Sequence, residues 1–121
     1  MQMPLQITFR NMEPSAAVEE RVRERMDRLD QYYDRIMSCR VVVEAPHRHH
    51  HQGKVFHVRL DLTLPQAELI VNREPEENRA HEDVFVAVRD AFDAMQRQVL
   101  DYVRKHRGDV KTHEPPPSAE S

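Results

Sequence analysis

Between Phe56 and Leu64 the chain alternates strictly, with Phe56, Val58, Leu60, Leu62 and Leu64 apolar and His57, Arg59, Asp61 and Thr63 polar. A period of two over that length is a strand with one buried and one wet face. The fold must therefore contain a sheet and something apolar to cover one side of it.

The same pattern recurs around this strand. Leu5, Ile7 and Phe9 alternate with Gln6, Thr8 and Arg10, which predicts a first strand. Val41, Val42 and Val43 are β-branched and stiff at χ1, and Pro46 ends their run, so a second strand is expected over about residues 37–45. Pro65 and Gln66 turn the chain after the third strand, and Leu69 and Val71 continue the alternation in a fourth.

Two segments change period. Val18, Val22, Met26, Leu29, Tyr33 and Ile36 fall at spacings of three and four, the stripe of an amphipathic helix, with Ser15 placed to cap it. Phe85, Val88, Phe92, Met95, Val99 and Val103 mark a second long helix from about Glu82, with Gly108 placed to stop it. The order β-α-β-β-β-α predicts an α+β sandwich, a four-stranded sheet with two long helices packed on one face and the other face wet. A chain of 121 residues suits one such domain, expected over residues 1–108. Residues 109–121, with Pro115, Pro116 and Pro117 among Ser and Glu, read as a flexible tail.

The one cysteine, Cys39, has no partner for an internal disulfide and falls in phase with Val41 and Val43, as a small core residue would. With no signal stretch and no apolar run of about 20 residues, the expected setting is the cytoplasm and not a membrane. His47, Arg48, His49, His50 and His51 form a histidine-rich connection, but consecutive residues of a loop point in different directions, and no second set of ligands accompanies them. No metal or cofactor is expected. Nor is catalysis: Ser15 is a cap, Ser38 lacks a partner, and the acids of His81-Glu82-Asp83 suit a helix start.

Basic residues carry more information. Arg21, Arg25, Arg28 and Arg35 are spaced to share one helical stripe, with Tyr32 among them. On the second helix lie Arg89, Arg97, Arg104 and Lys105. Two helices side by side could present these rows as one basic groove suited to a phosphate backbone. The same spacing also fits two solvated faces laced with Glu20 and Glu24, and a balance of 18 Lys and Arg against 21 Asp and Glu does not favour nucleic acid in bulk.

The opening Gln6-Ile7-Thr8-Phe9-Arg10, the helix from Val18 to Leu29 with Tyr32-Tyr33 after it, and the run from His81 to Val88 leading into Gln96-Arg97-Gln98-Val99 resemble one family. It is that of the bacterial and plastid ribosome hibernation factors, also called ribosome-associated translation inhibitors, ribosomal subunit interface proteins or sigma-54 modulation proteins. The resemblance covers about residues 3–107 and implies the same β-α-β-β-β-α fold. It implies binding of 16S rRNA in the small-subunit channel for mRNA and tRNA, and inhibition of translation under stress, with no small-molecule substrate. The implied rRNA contacts are Arg21, Arg25, Arg28 and Arg35, and Arg89, Arg97, Arg104 and Lys105. The chain reads as a short form, without the domain by which long members join two ribosomes. It departs from the family at Ala94 and Asp101, where basic residues are expected, and in the acidic stretch from Arg73 to Ala80. These departures favour an alternative, a protein-binding regulator that keeps the fold and has lost a strong grip on RNA.

Overall fold

The computed structural model describes residues 4–45, 56–72 and 83–113, with side chains as far as residue 106. Strand β1 is Leu5–Arg10, helix α1 Ala16–Tyr32, β2 Ser38–Glu44, β3 His57–Leu64, β4 Ala67–Asn72 and helix α2 Val84–His113. The strands form one sheet in the order β1-β2-β3-β4. β1 and β2 are parallel, with Ile7 opposite Val41, and α1 is the crossover that such a pair requires. β2 with β3 and β3 with β4 are antiparallel, with Val41 opposite Leu60 and Leu60 opposite Val71.

This register puts every apolar set on one face. Val41, Val43, Val58, Leu60 and Leu62 are fully or nearly fully buried beneath Val22 and Met26 of α1 and Val88, Met95 and Val99 of α2. The β-α-β-β-β-α sandwich with both helices on one face is the observed fold. Cys39 lies in the same core, where burial first and the nearby charge of Asp61 second push its thiol up to about 12.

Local chemistry fixes the helix starts. Ser15 is extended and its Oγ accepts from the Val18 N–H at 3.2 Å, so the expected cap is present. Asp83 caps α2, its Oδ1 accepting from the Phe85 N–H at 2.9 Å. Between β1 and α1 the chain bends at Asn11, whose φ of 61° is tolerated better by Asn than by most residues, and whose Nδ2 donates to the Ala45 carbonyl.

The helix ends differ from expectation. α1 stops at Tyr32, and Tyr33 is already extended. Ile36 is buried as its spacing suggested, but from the connection to β2, where Met37 N–H donates to the Thr63 carbonyl at 2.8 Å. That sheet contact pulls the segment out of the helical path. Gly108 does not stop α2, which runs on to His113. A glycine inside a helix costs only about 1 kcal/mol, less than a long packed helix supplies, whereas the sequence places its next strong breaker at Pro115. The helix thus runs five residues past Gly108, and residues 114–121 of the expected tail lie outside the described residues. His47–His51, Arg73–Ala80, His81 and Glu82 lie outside the described residues. Among the described residues no helix is long and apolar enough to cross a membrane, and no three His, Cys, Asp or Glu side chains are grouped to hold a metal.

Candidate nucleic-acid interface

α1 and α2 run side by side in the same direction. The Arg21 guanidinium sits 5.1 Å from the Phe85 ring centre near the start of both helices, and Tyr33 meets Tyr102 edge-on, 6.2 Å between centroids, toward their ends. At about 100° per residue, Arg21, Arg25, Arg28 and Tyr32 fall on the edge of α1 that flanks its buried stripe of Val18, Val22, Met26 and Leu29. That edge faces α2. Arg25, Arg28 and Tyr32 share a cleft of about 160 Å³ with Phe92, Asp93 and Gln96. Arg21 also pairs with Glu24 at 3.4 Å, which with its seat over Phe85 fixes the side chain. Neither Arg25 nor Arg28 is ion-paired with another described residue.

The remaining basic residues are less tightly grouped. Arg35 does not continue the stripe, because α1 ends before it; it lies beside Tyr32 and Tyr33 in the connection to β2. Arg89 is held by Asp90 on its own helix, through Nε at 3.2 Å and Nη2 at 3.1 Å. Arg97 and Arg104, seven residues apart, fall on nearly the same exposed side of α2, opposite the core residues Met95 and Val99. Lys105 points about 100° away from Arg104 and pairs with Asp101 at 3.5 Å. Arg25 and Arg28 thus converge with α2, Arg97 and Arg104 lie on its outer side, and Lys105 and Arg89 are partly occupied.

Sequence spacing did not reveal two further features. Past Tyr32 the helix pair opens into a second cleft, of about 610 Å³, walled by Tyr33, Tyr102, Val103 and His106. Its rings come from positions far apart in the chain and meet only because the helices are parallel. The uncovered face of the sheet carries a shallow cleft of about 370 Å³ bordered by Arg10, Arg40, His57 and Arg59 around Asp61. Asp61 is 9% exposed, with Oδ2 at 3.5 Å from Arg59 and with Oδ1 buried without a fixed donor. Glu68 holds its proton above the ordinary carboxylate range because that proton bonds to Asp61, and secondarily because of the charge of Asp61. His57 joins β3 to β4 through Asn72 Oδ1 at 2.7 Å.

Comparison with known proteins agrees with this architecture. A ribosomal subunit interface protein from Coxiella burnetii superposes with a TM-score of 0.68 at 17% identity, covering 84% of this chain and 99% of that one. The N-terminal domain of Protein Y from Thermus thermophilus gives a TM-score of 0.63 at 23% identity, covering 80% and 94% respectively. No curated protein is close enough in sequence to match. The model of the sigma 54 modulation protein / S30EA ribosomal protein family matches residues 5–107, nearly the whole described fold, and the chain belongs to that family.

Proposed function

We propose that this chain binds the small ribosomal subunit through 16S rRNA, in the channel that mRNA and tRNA would occupy, and inhibits translation by occupying it. The observation that carries the reading is the convergence of Arg25 and Arg28 on α2 across a shared cleft, where Asp93 is the one acid among the lining residues and neither arginine is ion-paired with a described residue. Two guanidinium groups against one carboxylate leave the groove net positive, which is what a phosphate backbone recognises. Arg21 extends the row toward the start of α1, Arg35 toward its end, and Arg97 and Arg104 add contacts on the outer side of α2. Arg89 and Lys105 join when phosphate displaces Asp90 and Asp101. Family membership and the likeness to a ribosomal subunit interface protein support the same partner.

The test is the double charge reversal Arg25→Glu, Arg28→Glu in a purified translation system. The wild type slows synthesis and sediments with small subunits; the variant does neither. Full inhibition by the variant would remove α1 from the binding surface.

The uncovered sheet face favours a second reading, a protein partner. Arg10, Arg40 and Arg59 border a shallow cleft there, and Ile70, the β4 partner of Asp61, is 42% exposed. Capture of one discrete soluble protein, lost on Ile70→Asp while ribosome binding is absent, would support that reading over the first.

A further inference from the structure

The cleft beyond Tyr32 is aromatic, whereas the cleft before it is cationic, and Tyr32 borders both. Tyr32 stands one helical turn past Arg28, about 6 Å along the axis, and is 45% exposed. Tyr102 lies against His106 with centroids 3.9 Å apart and ring planes inclined at 32°, and it meets Tyr33 in an edge-to-face contact. The rings are therefore assembled in advance, so a flat ligand meets aromatic faces without having to order them.

Charge inside this cleft is balanced, whereas the cleft before it is net positive. The cleft lies at the C-terminus of α1, the negative end of its dipole, and Asp34 lines it beside Arg35. A neutral planar ring suits the place better. A polar handle is also at hand: His106 Nδ1 lies 3.0 Å from the Tyr102 carbonyl, which can only accept, so Nδ1 carries a hydrogen, and in the neutral ring Nε2 is then an acceptor. An acceptor beside these rings matches the amino and imino donors on a nucleobase edge.

We propose that the Tyr32, Tyr33, Tyr102 and His106 cleft holds an unpaired nucleobase of an RNA strand whose backbone lies along Arg25 and Arg28. This rests on the RNA-binding reading above and adds a base-stacking position to it. Stacking on an aromatic side chain is tolerant of base identity, so the cleft selects single-stranded over duplex RNA more than it selects sequence.

The test uses the full chain and two labelled probes followed by fluorescence anisotropy: a short single-stranded oligoadenylate, and the same oligomer made abasic. The wild type binds the intact oligomer about tenfold more tightly, as expected for one stacked base. Tyr32→Ala and His106→Ala, both at exposed positions, weaken binding of the intact strand more than of the abasic strand and so reduce that preference, and Tyr32→Phe retains it. Equal binding of the two oligomers by the wild type, or a preference that survives Tyr32→Ala, overturns the proposal. The two levels separate in the Arg25→Glu, Arg28→Glu variant. If it loses both oligomers while the wild type does not discriminate between them, the stacking site alone fails. If the wild type binds neither oligomer at low salt, the RNA reading fails and takes the stacking site with it.

Discussion

Cys39 gives the most sensitive check on how the sheet is covered. It sits on β2 opposite Leu5 and Leu62, within the core between sheet and helices, and is 3% exposed. Burial moves its thiol from an ordinary 9.0 to about 12, which lowers the thiolate fraction at neutral pH about a thousandfold. A disulfide reagent attacks through the thiolate, so folded protein should react at least about a thousandfold more slowly than urea-unfolded protein at the same pH, and only through opening of β2. The assay is the release of coloured thiol from an aromatic disulfide, followed under both conditions. Folded-state reaction within tenfold of the unfolded rate would mean that the helices do not close over β2. The same shift links stability to pH. The folded thiol holds its proton longer than the unfolded one, so its contribution is complete below pH 9.0 and is lost as pH rises toward about 12, by at most about 4 kcal/mol. Tyr33, raised chiefly by burial and then by Tyr102, acts in the same sense above its ordinary 10.0.

Other expectations follow from packing and from the groove. Leu60→Ala, on a central strand with no solvent exposure, should cost about 2–5 kcal/mol in urea unfolding; a loss below about 1 kcal/mol would place Leu60 outside the core. Gly108→Ala should raise helical circular dichroism and stabilise the end of α2 by up to about 1 kcal/mol, because Gly108 lies within the helix; a loss of helicity would restore it as a stop. Arg25→Ala with Arg28→Ala should flatten the slope of log affinity for RNA against log salt by about 1.4 to 1.8, the share of two phosphate contacts, measured by anisotropy titration at several salt concentrations. An unchanged slope would mean that neither arginine meets a phosphate.

How legible the chain was depended on the range of the forces involved. The alternation of β1 and β3 and the stripe from Val18 to Leu29 are local, and each appears where its period placed it. Ser15 was readable because a cap acts within its own turn. Tyr33 and Ile36 kept the helical spacing yet left the helix, since a sheet hydrogen bond from Met37 to Thr63 decided their path. For that reason Arg35 dropped out of the arginine stripe. The direction of the helices relative to one another, and hence the meeting of Tyr33 with Tyr102, depends on contacts across some seventy residues that no local pattern records. Asp61 read as a solvated residue of the wet face, but its neighbours Arg59, Arg40 and Glu68 cover it.

The most direct measurement is sedimentation of the purified protein with isolated small subunits over a range of salt concentrations. With roughly four to six phosphate contacts, binding should weaken with a slope of about −3 to −5 in log affinity against log salt, and so fall more than fiftyfold between about 50 and 200 mM. Absence of binding even at low salt, or a slope flatter than about −1, would contradict an arginine groove that grips ribosomal RNA.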